Sequence, residues 1–209
     1  MSTSSVPSHT GRALRGAALG LLVVALVLVA LVAGGAFDPQ PCGRLAHQAT
    51  PGLVALAERG ETLQQQRAPF AGTPWCYTLR LTAAYEAGET DSGYGLAVGD
   101  RREALVVAVS PLGQAAVWQT VAGDDEPRYL LPWQPWPHVR SGTTPNEIWL
   151  EIDDSAGITQ VTARVNRELL WQGNLLEPPP NAPTLWLGSF GGPVTVDFQT
   201  LDWFLPPPT

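Results

Sequence analysis

The sequence predicts an all-β sandwich preceded by one apolar N-terminal helix. Three observations carry this. From Cys76 onward, apolar and polar residues alternate with a period of two, the spacing at which a strand sends successive side chains to opposite faces. The alternating stretches are short, and "AGETDSG", "GDRR" and "PLGQ" separate them with turn chemistry. No amphipathic helical pattern of convincing length follows residue 70.

The N-terminal helix rests on Gly16 to Phe37, 22 residues without a charge. That length spans about 30 Å as a helix, the thickness of a bilayer core. Arg12 and Arg15 precede the run and Asp38 is the first acid after it. The positive-inside rule then puts residues 1–15 in the cytoplasm as a tail, 16–37 across the membrane, and the rest outside. The rival reading is a signal peptide cleaved around Ala33 to Ala36, but the run exceeds the roughly 7–15 residues of a signal core. "DPQP" before Cys42 lacks the small-residue box of a lipidated cysteine.

Residues 38–74 read as a connector. In "LVALAERGETLQQQ", Leu53, Leu56 and Leu63 fall near helical spacing and predict a short helix, interrupted by Gly60. The strands follow: "YTLRLTAAYE", "YGLAVGD", "EALVVAVS" and "QAAVWQTV", then a Pro-rich connection from Ala122 to Pro145. "NEIWLEID", "TQVTARVN", "ELLWQGN", "PTLWLGSF" and "PVTVDFQTLDWF" complete about nine strands. The sandwich is expected over 75–204, with 205–209 as a proline-rich tail, because proline cannot continue a ladder.

The chain carries 12 basic residues against 19 acidic ones. That balance excludes a nucleic-acid partner, which needs a basic surface. Cys42 and Cys76 both fall on the expected outer side, where disulfides persist. A bond between them closes a loop of about 35 residues and is worth roughly 3–4 kcal/mol on the chain-entropy model. Two unpaired thiols are the alternative. No His neighbours either cysteine in sequence, which argues against a catalytic thiol.

Four segments, in order, resemble the concanavalin A-like lectin/glucanase superfamily. The nearest branch is the jelly-roll domain named after 3-keto-disaccharide hydrolase, related to laminin-G and family 16 glycoside hydrolase folds. "SGYGLAVGD" is similar to the family strand after a small-residue loop. "LPWQPWPHVRSGTTPNEIWLEI" places Trp133, Val139, Arg140, Gly142 and Asn146 at family positions. "TARVNRELLW" resembles a "YVNG" hairpin, with Val165 and Asn166 in place and Arg167 where Gly is usual. "LWLGSFGGPVTVDFQTLDWF" resembles the closing strand pair. The resemblance covers about Trp75 to Phe204 and implies a jelly-roll β-sandwich; such folds host lectins, enzymes and adhesive modules alike.

Family 16 glucanases carry Glu-x-Asp-x-Glu on one strand, with the carboxylates on one face. Here Glu151 and Asp153 fill the first two places and Ser155 the third, and a serine hydroxyl does not titrate as an acid/base. The plainer reading is a solvated strand face entering a turn at "DDSAG". Of eight tryptophans, Trp118, Trp133, Trp171, Trp186 and Trp203 are expected to pack structurally. Trp136, held between Pro135 and Pro137, and Trp149, on the polar side of its strand, are the candidates for stacking on a sugar or anchoring a partner. The ligand-binding candidates are thus Trp136, Trp149, Glu151 and Asp153. No cofactor is expected. Glu89/Asp91 and Asp124-Asp125-Glu126 offer oxygen ligands for calcium, without a spaced loop pattern. His138 has no identifiable carboxylate partner.

These readings converge on a membrane-anchored, non-catalytic module facing outward. Its partners would be lipid through residues 16–37 and either a glycan or the subunits of a membrane complex. The alternative is a glycoside hydrolase-like enzyme of the same superfamily.

Overall fold

The computed structural model describes residues 20–30, 38–67, 74–124, 126–155, 157–175 and 182–207. The chain divides into two compact units, Met1–Gln40 and Pro41–Thr209.

In the first unit, residues 20–30 form an α-helix. Eleven residues rise about 16 Å at 1.5 Å each, roughly half of a bilayer core. Among the described residues no helix is long and apolar enough to cross a membrane. This corrects the expected single-pass anchor, and with it the placement of the chain across a membrane. Residues 16–19 and 31–37 of the expected span lie outside the described residues.

The second unit is a jelly-roll β-sandwich of two sheets, with thirteen strands among the described residues. Every pairing is antiparallel. The seven-stranded sheet contains β1 (Arg44–Ala49), β2 (Gly52–Leu56), β4 (Cys76–Gly88), β9 (Asn146–Asp153), β10 (Thr159–Val165), β11 (Glu168–Leu175) and β13 (Val194–Leu205). The six-stranded sheet contains β3 (Gly60–Gln65), β5 (Ser92–Gly99), β6 (Ala104–Val109), β7 (Gln114–Thr120), β8 (Arg128–Pro135) and β12 (Pro183–Ser189). Their orders are β1-β13-β4-β9-β10-β11, with β2 also on β13, and β3-β12-β5-β6-β7-β8.

The core lies between the sheets and follows from the period-two pattern. Leu79, Leu81, Ile148, Leu150, Phe198 and Trp203 enter it from one side; Tyr94, Leu96, Leu105, Val107, Leu185 and Leu187 from the other. All nine strands read from the sequence are present. Four more were missed, and in one place the expected helix is corrected. Leu53–Gln66 is not helical: it forms most of β2 and all of β3. In β2 the burial alternates, with Val54 and Leu56 against the core and Leu53 69% exposed. The governing period is therefore two, and the connector belongs to the sandwich. β8 lies within the Pro-rich connection. It tolerates Pro132 and Pro135 because it is an edge strand, where a missing N–H breaks no ladder on the open side.

The expected Cys42–Cys76 disulfide is present, with Cα atoms 6.2 Å apart.

Candidate functional site

The outer face of the seven-stranded sheet holds three of the four sequence-derived candidates. Gln48, Asp202, Arg80, Trp149 and Arg164 stand in one row across β1, β13, β4, β9 and β10. Arg80 donates from Nε and Nη2 to Asp202 Oδ2, at 3.1 and 2.7 Å, and Gln48 Nε2 donates to Oδ1 at 2.7 Å. The Arg80 guanidinium also lies over the Phe204 and Trp149 rings, 4.8 and 5.6 Å from their centroids. Trp149 is only 4% exposed, and its indole N–H donates to Glu147 Oε1 at 2.7 Å.

In the next row, the Thr78 hydroxyl donates to Glu151 Oε2 at 3.2 Å and accepts the Cys42 N–H at 2.8 Å. The disulfide holds Cys42 over this row, which explains why Thr78 is fully buried. Burial raises the Glu151 pKa above its ordinary value and Asp153 adds to the rise; the Thr78 hydrogen bond, the Arg164 charge and the Cys42 N–H oppose it. Asp153 accepts the Ser155 N–H at 2.8 Å, capping the turn that follows. The polar groups of this face are thus largely satisfied by one another. Trp136 is not brought to them: its ring packs against the inter-sheet core, and its buried N–H has no hydrogen-bond partner among the described residues.

The outer face of the six-stranded sheet differs in chemistry. Its floor is small and apolar. Trp186 stands in a row with Gly95, Ala108 and Ala116; Trp118 stands in a row with Val106, Ala97 and Thr184, and with Tyr129 on its other side. Small side chains leave room for rings to lie down. A Cβ on Gly93 would come within 2.7 Å of Trp133 Cη2 and 3.1 Å of Trp186 Cζ3, so both indoles rest on that backbone. The rings contact one another in sequence: Tyr129–Trp118 at 6.0 Å, Trp118–Trp133 at 6.1 Å and Trp133–Phe190 at 6.4 Å, with Trp186 edge-on to Trp118 at 4.9 Å. Trp118 and Trp186 are buried in this layer, whereas Tyr129 and Phe190 are 47% and 45% exposed. The Trp186 N–H donates to Glu61 Oε2 at 3.2 Å.

A cleft of about 630 Å³ opens beside Trp118, with Glu61, Arg101, Arg102, Asp124 and Glu126 on its walls. Asp100 shapes the turn that presents the two arginines: its carboxylate accepts the Arg102 and Glu103 N–H groups, which hold its pKa below the ordinary value. Among the described residues no group of three or more His, Cys, Asp and Glu is arranged to hold a metal ion. Asp125, part of the expected acid cluster, lies outside the described residues.

Sequence reading missed this aromatic face. Its signal was present in β5 and β6, "SGYGLAVG" and "ALVVAV", which carry small or apolar residues on both faces and are buried throughout. A strand apolar on both sides needs cover on both sides, and here tryptophan rings supply it.

The resemblance positions also converge. Asn146, fully buried, donates from Nδ2 to the Tyr94 hydroxyl at 3.1 Å and to the Arg140 carbonyl at 2.9 Å. Its Oδ1 accepts the Arg140 N–H and Asn166 Nδ2, each at 2.8 Å. Asn166 in turn joins the β10–β11 turn to Glu147 and to the His138 carbonyl. Burial raises the Tyr94 phenol pKa, against the opposing hydrogen bonds of Asn146 and the Tyr85 backbone.

No family model matches the sequence, and no curated protein matches it significantly. Solved structures do. A Crh5 transglycosylase in complex with NAG aligns at 11% identity over 82% of this chain and 89% of its own, with a TM-score of 0.51. An endo-1,3-beta-glucanase from Streptomyces sioyaensis aligns at 12% identity over 75% of this chain and 77% of its own, with a TM-score of 0.50. At such identities the likeness establishes the sandwich fold alone.

Proposed function

We propose that Pro41–Thr209 is a concanavalin A-like, non-catalytic glycan-binding module, and that it binds through the aromatic outer face of its six-stranded sheet. The observation that carries this reading is the continuous row of Tyr129, Trp118, Trp133 and Phe190 beside a cleft with charged walls. A pyranose ring has an apolar C–H face that stacks on indole and phenyl rings and a hydroxyl rim that needs polar partners. A surface combining both is suited to it.

Retaining glycosidases need two carboxyl groups about 5–5.5 Å apart. Of the carboxylates on the cleft walls, Glu61, Asp124 and Glu126, Glu61 already accepts the Trp186 N–H. The broken Glu-x-Asp-x-Glu pattern, with Ser155 at its third place, supports binding without turnover.

The test is a broad glycan array followed by titration calorimetry on wild type and a Tyr129→Ala, Phe190→Ala variant. The expected result is micromolar to millimolar binding to at least one oligosaccharide, weakened at least tenfold in the variant. A silent array, or affinity unchanged by the variant, overturns the proposal. Release of reducing ends from a bound oligosaccharide would overturn its non-catalytic part.

A further inference from the structure

The cleft beside Trp118 narrows the class of glycan. Given the glycan-binding role proposed for the aromatic face, we infer that this cleft takes an uncharged sugar residue with free hydroxyls and selects against acidic sugars. Its volume, about 630 Å³, lies within the usual range of small-ligand sites.

Two walls of opposite sign face the cleft. Arg101 and Arg102 stand in the turn between β5 and β6, and Asp124 and Glu126 in the connection from β7 to β8. Both segments spring from the paired residues Ala104 and Thr120. The Thr120 hydroxyl accepts the Ala104 N–H at 2.9 Å and donates to the Ala104 carbonyl at 3.4 Å. One hydroxyl thus ties the root of the cationic wall to the root of the anionic one.

Each wall is also set by its own backbone. Asp100 N–H donates to the Glu103 carbonyl at 2.8 Å, while the Asp100 carboxylate accepts the Arg102 and Glu103 N–H groups. Gly99 enters this turn at φ 121°, where a Cβ would collide with the Glu103 carbonyl. On the other wall, Asp124 N–H donates to the Val121 carbonyl at 3.1 Å, across Gly123 at φ 94°. Backbone fixed in this way presents both signs before a ligand arrives.

Charge decides the class. Glu61 joins Asp124 and Glu126, so three carboxylates share the cleft with two guanidinium groups and leave one net negative charge. Among the described residues no ion pair joins the two walls. A ligand carboxylate would find donors in the arginines and face three like charges. An ammonium would find the acids and face the arginines. A sugar hydroxyl both accepts and donates, so it accepts from a guanidinium and donates to a carboxylate. An uncharged ring with several hydroxyls therefore uses both walls, with the Trp118 indole as its apolar lining.

Nuclear magnetic resonance titration of the full chain at constant ionic strength tests this with matched sugars: glucose, glucuronate and glucosamine, and the corresponding galactose and mannose series. The expected result is saturable shifts of the Arg101, Arg102, Gly123 and Asp124 amides with at least one neutral hexose. The matching uronate should bind at least tenfold more weakly. An Asp124→Asn, Glu126→Gln variant should narrow that gap at least threefold, and an Arg101→Gln, Arg102→Gln variant should weaken the neutral sugar at least tenfold. All four side chains are exposed, so thermal unfolding should stay cooperative. A uronate or amino sugar that binds better than its neutral counterpart overturns the inference, as does a neutral affinity that both variants leave unchanged. Shifts confined to Tyr129 and Phe190 would also overturn it while leaving glycan binding intact. Silence in both this titration and the glycan array removes the two readings together.

Discussion

Two residues sit where their chemistry and their surroundings disagree, and each gives a prediction. Arg167 occupies a left-handed turn position at φ 74°. The conformation costs a non-glycine residue about 1–2 kcal/mol, and the exposed contact to Glu147 at 3.7 Å returns about 0–1 kcal/mol. Arg167→Gly removes the conformational cost together with every contact of the side chain, and a higher urea midpoint is expected where the backbone relief exceeds those contacts. Glu151 is the second case, because burial raises its pKa in the fold. The folded state then holds the proton more tightly than the unfolded chain does. The resulting stabilisation is fully present below the unfolded pKa and is lost as pH rises through the raised folded value. Glu151→Gln keeps an acceptor for Thr78 and removes the buried charge. Its urea midpoint should exceed that of wild type at pH 7, and the gap should close below about pH 4, near the ordinary glutamate pKa. A gap that stays constant across that range would show that the charge is not its cause.

Strands, unlike single residues, had to be recognised before they could be explained. β5 carries the tightest constraint. A Cβ on Gly95 would lie 2.0 Å from the Val107 carbonyl oxygen of β6, with backbone rather than a movable side chain in the way. Gly95→Ala should cost about 1–3 kcal/mol or more, measured as a lower melting temperature with loss of amide protection in β5 and β6. β9 and β13 were legible because their inner-face residues recur at every second position, as Ile148, Leu150 and Ile152 or Val194, Val196 and Phe198 do, and β5, β6 and β7 because each is a short apolar run bounded by turn residues. β1–β3 were not: β1 is exposed along almost its whole length, and the leucines at 53, 56 and 63 imitate a helical spacing. β8 was hidden by the prolines that its edge position tolerates. The site was harder to read than the fold. Glu151 and Asp153 drew notice as a partial motif, yet they lie on the sheet whose polar groups mostly pair with one another. Trp118, Trp133 and Trp186 read as ordinary core, and core packing is part of what they do. What the sequence could not display is register: only the pairing of β12, β5, β6, β7 and β8 brings five rings onto one face.

On the scale of the whole sandwich, the N-terminal strands stitch the two sheets together. β1 and β2 cover one edge of β13 while β3 covers β12, so a segment of about twenty residues closes an edge in each sheet. The Cys42–Cys76 bond, whose ends are 34 positions apart in sequence, encloses all three strands and ties their start to the first residue of β4. The crosslink and the stitch are thus one device: opening the bond frees the end of the segment that shields β12 and β13. The Cys42→Ser, Cys76→Ser double variant should lose roughly 3–4 kcal/mol on the chain-entropy model, read from urea unfolding of the oxidised wild type against the variant. Hydrogen exchange separates this from a general weakening. If the bond anchors the stitch, amides of β1, β2 and β3 should lose protection first, followed by the edges of β12 and β13, while β5–β7 change least. Uniform loss across both sheets would instead mean that the bond acts only on the unfolded chain. Exposed edges pair with other chains, so the variant should also aggregate as protein concentration rises, and light scattering at matched fractions unfolded would detect it.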